Sequence, residues 1–273
     1  MPELPEVQTV VTSLKKLKNK EITNFNYSCK KVVYNFSPGN LHRHIKNNII
    51  KNVSRIGKYI ILHLDNKYLI CHLRMTGYLH IAKRIPINNK HIRCYFNLSS
   101  DEFLIYEDIR KFGGFYLFNS LTELKQKIGV DPFNKKFSPL WLKKNLSNKN
   151  GMIKHLLLNQ KFICGLGNIY TDEILWKTCI HPKHVSKTIK NTDFLYRNIV
   201  SILNKSIKFH GTTIMNFKFD NMKTGNYKAK LKVYGRKNLP CKRCQKKIIK
   251  IKVAGRGTYI CVNCQKWLQL LIK

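Results

Sequence analysis

YIILHLDNKYLICHL, residues 59–73, holds two runs of Ile, Leu and Tyr, Tyr59 to Leu64 and Tyr68 to Leu73. Asp65-Asn66 falls between them, the residue types that let a chain reverse in a tight turn. The stretch reads as two antiparallel strands. Working outward, Tyr95 to Leu98 and Phe115 to Phe118 repeat the pattern, with Ser99-Ser100-Asp101 as another turn. Several short strands at this spacing, from Ile22 to about Phe118, predict an antiparallel sandwich or barrel. Upstream, Val7, Val10, Val11, Leu14 and Leu17 follow helical spacing, predicting a helix from about Glu3 to Lys18. Downstream the period turns helical again over Leu121–Ile128, Pro139–Leu146, Met152–Leu158, Thr171–Lys177 and Phe194–Phe209. Asp131-Pro132 and Phe137-Ser138-Pro139 punctuate the change, and from about Tyr234 the chain is short, basic and cysteine-bearing. The expectation is an α+β protein: an N-terminal β-sandwich with an N-terminal helix over residues 1–130, a helical domain over 131–233 and a cysteine-bearing module over 234–273.

The 273 residues suffice for two domains or one with an appendage. No stretch approaches the length of an apolar membrane span, and Glu3 and Glu6 stand where a signal peptide would be basic. Nine cysteines without secretory signs point to a reducing compartment, so the expected location is cytoplasmic. Fifty-one basic against fourteen acidic residues give a formal net charge of +37, the balance of a polyanion-binding protein. Lysine supplies 41 of those cations, and Asn and Ile are abundant too, so AT-rich coding is an alternative reading of part of the excess. The distribution is harder to assign to coding bias: from Ile174 to Lys273 there are 23 Lys and Arg, and only Asp193 and Asp220 as acids.

Cys241-x2-Cys244 and Cys261-x2-Cys264 are separated by sixteen residues, which places four thiolates for one tetrahedral zinc ion. A full set of four protein ligands leaves no open position, so the zinc is expected to be structural. Lys246, Lys247, Lys250, Lys252 and Arg256 lie between the two pairs and suit a hairpin presented to phosphates.

The first seven residues, MPELPEV, admit two readings. Pro2 and Pro5 suit the opening of a helix, with Glu3 and Glu6 favoured by its dipole. Alternatively, removal of Met1 leaves a secondary amine on Pro2, near-neutral in pKa and held in a ring, beside the Glu3 carboxyl. That is a nucleophile next to an acid/base group.

MPELPEV, GLGNIYTDEILW (Gly165 to Trp176) and VYGRK (Val233 to Lys237) followed by four cysteines resemble the bacterial formamidopyrimidine-DNA glycosylases. So do HLRMTGYL (His72 to Leu79), EDIRKFGGF (Glu107 to Phe115), IHP (Ile180 to Pro182) and GTT (Gly211 to Thr213), in the same order over essentially the whole chain. The resemblance implies a β-sandwich, a helix–two-turn–helix domain and a zinc finger, with damaged double-stranded DNA bound between them by a monomer. It implies a base-excision-repair enzyme that removes 8-oxoguanine and formamidopyrimidines and then acts as an AP lyase through a Pro2 Schiff base and β,δ-elimination. The damaged nucleotide must leave the stack for this chemistry. By the same resemblance Glu3 assists opening of the sugar, Lys58 in RIGKY donates a proton in β-elimination, and Arg256 in GRGTY serves δ-elimination and phosphate binding. Glu6 matches a supporting carboxylate. Met75, Arg110 and Phe112 match the set that fills the void left by the flipped nucleotide. His91, Arg110, Lys149, Asn168 and Arg256 are the expected phosphate contacts, with Tyr170 in the same GLGNIY turn as Asn168.

Some positions depart from the family pattern. Asn148-Lys149-Asn150 thins a basic run, and Asp220 to Tyr227 (DNMKTGNY) lacks a Gly and a Pro expected in the loop covering the damaged base. Two rivals remain open at this stage: a pyrimidine-directed branch of the same superfamily, and a non-catalytic zinc-finger DNA-binding protein. Cys29, Cys71, Cys94, Cys164 and Cys179 read as small apolar residues.

Overall fold

The computed structural model describes residues 1–213, 219 and 223–266. Residues 220–222 of the divergent DNMKTGNY loop and the tail Trp267 to Ile272 lie outside the described residues. Two compact units form, one of residues 1–127 with 207–228, the other of residues 128–206 with 229–273.

The first unit opens with α1 (Leu4–Leu14), continued by one tighter turn over Lys15–Leu17. Then come β1 (Glu21–Tyr27), α2 (Pro38–Ile45), β2 (Asn48–Ile49), β3 (Asn52–Ile56), β4 (Tyr59–His63), β5 (Tyr68–His72), β6 (Gly77–Ala82), β7 (Ile92–Leu98), β8 (Phe103–Asp108), β9 (Gly114–Phe118) and α3 (Thr122–Lys125). The hairpin expected from residues 59–73 is present, with His63 opposite Tyr68 and Tyr59 opposite His72. β3-β4-β5-β9 make one sheet and β2-β1-β7-β8-β6 the other. Their inner faces meet in one core, where Phe96 of β7 and Tyr106 of β8 pack edge-on against Phe115 of β9, centroids 5.2 and 5.3 Å apart. Val7, Val10, Val11 and Leu14 of α1 join that core at 2% exposure or less. Burial of each is worth roughly 1.5–3 kcal/mol, so α1 is fixed by its apolar face and its start becomes a rigid point.

The second unit holds α4 (Pro139–Leu146), α5 (Ile153–Leu158), α6 (Asn168–Lys177), α7 (Thr192–Lys208) and the hairpin β10 (Ile249–Val253)–β11 (Arg256–Ile260). Ser138 caps α4, its hydroxyl accepting the Trp141 N–H at 3.1 Å, with Pro139 at the first helical position. A two-residue turn, Ala254 and Gly255 at φ +51° and +70°, joins β10 to β11, the twist that suits a tight hairpin. Val233, Ile248, Cys241 and Cys261 pack with Trp176 in a small separate core.

Residues 207–228 group by contacts with the first unit. Side-chain chemistry gives the reason: Thr212 bonds to Glu6, and Phe219 enters the sandwich core.

Candidate active site

Pro2 and Glu3 are buried at the start of α1. Glu6, one turn on, reaches back so that its Oε2 accepts the Glu3 backbone N–H at 2.8 Å. Its Oε1 accepts the Thr212 N–H at 2.7 Å. Gly211 wraps the same carboxylate: it lies at φ +78°, and a Cβ there would fall 2.7 Å from Glu6 Oε1. One buried carboxylate therefore fixes both the chain end and the GTT segment. The helix-opening reading of MPELPEV is met, since α1 begins here with Pro5 in its first turn.

Lys58 lies in the β3–β4 turn at 4% exposure. Burial lowers the pKa of the terminal amine, carried here by Met1; Glu3 and Glu6 oppose the shift and Lys58 and Arg110 add to it. Four side chains singled out from the sequence thus act on one amine. A lowered pKa raises the neutral, nucleophilic fraction near pH 7.

Met75 projects from the β5–β6 turn, and Arg110 and Phe112 from the β8–β9 turn, all exposed. Arg110 Nη1 donates to Met75 Sδ at 3.0 Å, and the guanidinium lies 4.5 Å from the Phe112 ring centroid. The three form one stacked column. His91 is half-buried just before β7; its carbonyl accepts the Asp108 N–H at 2.9 Å, and its Nδ1 has no hydrogen-bond partner among the described residues.

In the second unit Arg256 is exposed directly after the β10–β11 turn. Asn168, the first residue of α6, donates from Nδ2 to the Gly257 carbonyl at 2.9 Å. Two expected phosphate contacts are therefore neighbours, and the Asn168 Oδ1 is buried without a partner among the described residues. Lys149 is exposed after α4. Tyr170 departs from expectation. Its side chain is fully buried and its hydroxyl lies 2.5 Å from Ser206 Oγ, so it braces the GLGNIY turn from inside and presents no surface to DNA.

Sequence reasoning missed the groups that hold the finger hairpin to α6. Lys154 of α5, fully buried, donates to Asp172 Oδ1 at 2.6 Å and to Thr258 Oγ1 at 2.7 Å, while Asp172 Oδ2 accepts the Tyr259 N–H at 2.9 Å. Burial pushes the Asp172 carboxyl up, opposed by Lys154. Glu173 accepts the N–H groups of Lys232, Val233 and Tyr234 at 2.9–3.0 Å. The available signal was scarcity, since the chain has only fourteen acids and two of them stand together inside the GLGNIYTDEILW string.

The Sγ atoms of Cys241, Cys244, Cys261 and Cys264 all lie within 4.8 Å of one another. Zn–S bonds of about 2.3 Å in a tetrahedron place sulfurs about 3.8 Å apart. The Cys241–Cys264 and Cys244–Cys261 separations of 3.9 and 3.4 Å fit that ion. Trp176 Nε1 and the Arg243 N–H donate to Cys241 Sγ at 3.3 and 3.4 Å, the outer support a thiolate ligand receives.

Comparison with known proteins bears on the whole chain. Residues 1–115 match the formamidopyrimidine-DNA glycosylase N-terminal domain, residues 128–218 its H2TH domain, and residues 238–266 the zinc finger found in FPG and IleRS. The formamidopyrimidine-DNA glycosylase of Mycoplasma genitalium is 39% identical over 257 residues, covering 92% of this chain and 90% of that protein. That of Pelotomaculum thermopropionicum is 40% identical over 258 residues, covering 92% and 94%. A crystal structure of a Lactococcus lactis FPG mutant in complex with Fapy-dG-containing DNA superposes with a TM-score of 0.91 at 36% identity, over 97% of this chain and 100% of that one. The L. lactis Fpg bound to abasic-site DNA gives 0.90 at 35% identity, with the same coverage. With the domains in the expected order and identity near 40% over nine-tenths of its length, this chain belongs to the formamidopyrimidine-DNA glycosylase family.

Proposed function

We propose that Pro2, freed by removal of Met1, is the nucleophile of this enzyme, with Glu3 and Lys58 as its proton-transfer partners and Arg256 as the finger's contribution. The chain is a base-excision-repair DNA glycosylase for oxidised purines, with the AP lyase activity of its family. The observation that supports the assignment of roles is geometric: Pro2, Glu3 and Lys58 are all buried in the first unit, and Glu6 brackets the chain start through the Glu3 and Thr212 N–H groups. The Pro2 nitrogen forms a bond to C1′ as the C1′–base bond breaks and the base leaves with a proton. Glu3 protonates the ring oxygen, so the sugar opens to an iminium ion. Loss of the C2′ proton then drives β-elimination of the 3′ phosphate, and δ-elimination of the 5′ phosphate leaves a one-nucleotide gap. Lys58 carries a proton in the first of these eliminations, a reading supported by its burial in the β3–β4 turn.

Met75, Arg110 and Phe112 fill the space of the flipped nucleotide, and His91, Arg110, Lys149, Asn168 and Arg256 contact phosphate. Zinc, held by the four cysteine thiolates, fixes the finger and takes no part in the chemistry. The substrate is damaged duplex DNA, chiefly 8-oxoguanine opposite cytosine, bound by a monomer in the cytoplasm. Among the described residues no helix is long and apolar enough to cross a membrane.

Borohydride trapping on an 8-oxoguanine·cytosine duplex, with Pro2→Gly and an undamaged duplex alongside, tests this directly. A covalent adduct that requires the lesion and maps to Pro2 is expected. Tight binding without an adduct, in protein whose Met1 has been removed, sinks the lyase assignment.

A further inference from the structure

Asp108 ends β8, is fully buried, and stands opposite Gly77 at the start of β6. Its Oδ1 accepts the Thr76 hydroxyl and the Arg110 N–H, the latter at 3.1 Å. Its Oδ2 accepts the N–H groups of Phe112 and Gly113 at 2.9 and 2.8 Å and the Tyr106 hydroxyl at 3.3 Å. The Thr76 oxygen accepts the same Arg110 N–H at 3.1 Å. Apart from Tyr106, every donor lies on one of the two turns that carry Met75, Arg110 and Phe112. The carboxylate thus ties two segments more than thirty residues apart to a single point.

The turns need such a tie. Lys111 sits at φ +56° and Arg74 at φ +49°, left-handed conformations that are unfavourable for a residue with a side chain. Gly113 is pressed so close that a Cβ would fall 2.1 Å from the Tyr106 hydroxyl oxygen. Tyr34 donates to the Phe112 carbonyl from the other side. With both turns fixed, the Met75–Arg110–Phe112 column stands formed, and the entropy of ordering three long side chains is met in folding and not on DNA.

We propose that Asp108, with Thr76, is the positioning pair that presents Met75, Arg110 and Phe112 as one pre-formed wedge. It thereby sets how well this enzyme holds a nucleotide out of an intact duplex. The inference rests on reading those three residues as the void-filling set. Asp108→Asn is nearly isosteric yet replaces one acceptor by a donor, which must then face either the Phe112 and Gly113 N–H groups or the Arg110 N–H and Thr76 hydroxyl. Either choice breaks one side of the tie. Thr76→Val removes only the hydroxyl link and keeps the size of the side chain.

The test compares Asp108→Asn and Thr76→Val with Phe112→Ala and the unmodified enzyme on two substrates. One is an 8-oxoguanine·cytosine duplex with 2-aminopurine beside the lesion to report wedge insertion. The other is a single-stranded oligonucleotide bearing an abasic site, where no base pair has to be opened. On the duplex, kcat/KM should fall about 100-fold for Asp108→Asn, the order expected from a 1 Å misplacement, and about tenfold for Thr76→Val, one hydrogen bond's worth. The 2-aminopurine signal should shrink with it. Borohydride trapping on the single strand should stay within about threefold, because the Pro2 chemistry is untouched. Parallel losses on both substrates mean general damage and overturn the proposal. So does wild-type duplex activity in both tie variants while Phe112→Ala is impaired. If Phe112→Ala itself behaves as wild type, the void-filling reading is what has failed, and the proposal goes with it.

Discussion

His72 ends β5 with its ring edge-on to Tyr59, centroids 4.6 Å apart, and its Nδ1 accepts the Arg74 N–H at 3.0 Å. That bond requires the neutral ring. Burial, joined by Arg74 and Lys58, holds the pKa down to about 3 from its ordinary 6.5. A depressed histidine leaves stability intact above pH 6.5 and removes it as the pH falls towards 3, because only the unfolded chain takes up the proton. Between pH 7 and pH 5 the loss is about 2 kcal/mol, at about 1.4 kcal/mol per pH unit below 6.5. His72→Asn retains an acceptor for Arg74 and should lose about 2 kcal/mol less over that interval, read from urea midpoints at the two pH values. Equal losses in the two proteins would place the titration elsewhere. Pro2, Lys58 and Arg256 were singled out by the distinctive strings around them, and their roles rest on those strings. Asp108 stood inside a quoted string, yet nothing in EDIRKFGGF says that its carboxylate turns inward to collect five donors.

Elements were legible where one period persisted. The hairpin at residues 59–73 and the helices α1, α4, α5, α6 and α7 all formed close to where apolar spacing put them. The helix expected over Glu3–Lys18 stops at Leu14 and tightens. α2 was passed over because Gly39, Asn40 and two histidines mask its short apolar face, although Ser37-Pro38 is a sound helix start. Strand order and α6's grip on the finger were not legible, since both depend on partners distant in sequence. That grip yields a prediction. Lys154→Met leaves the Asp172 carboxylate buried without its cation and should cost about 3–5 kcal/mol. Replacing both, Lys154→Met with Asp172→Asn, should recover part of it. Urea unfolding of the three proteins measures this, and a double variant no more stable than the single one removes the ion pair as the cause.

For the whole molecule, the +37 charge made polyanion binding legible from composition alone, and the DNA-bound L. lactis structures agree with it. Affinity for undamaged duplex should fall linearly in log–log terms with salt, by about 0.9 per phosphate neutralised. Arg256→Gln should lower that slope by about one, as read by fluorescence anisotropy over roughly 50 to 200 mM salt. An unchanged slope would remove Arg256 from the phosphate contacts. Composition could not show where the few anions are. Among the described acids Glu3, Glu6, Asp108, Asp172 and Glu173 are buried, and the last four accept backbone N–H groups. Tolerance to mutation is therefore split by sign. Among the described lysines only Lys58 and Lys154 are buried, so the others can be exchanged with little consequence for folding. Those four carboxylates are internal brackets, each joining chain segments that no neighbouring residue can hold. Losing one of them would cut a link between distant stretches of chain, whereas exchanging an exposed lysine cuts none.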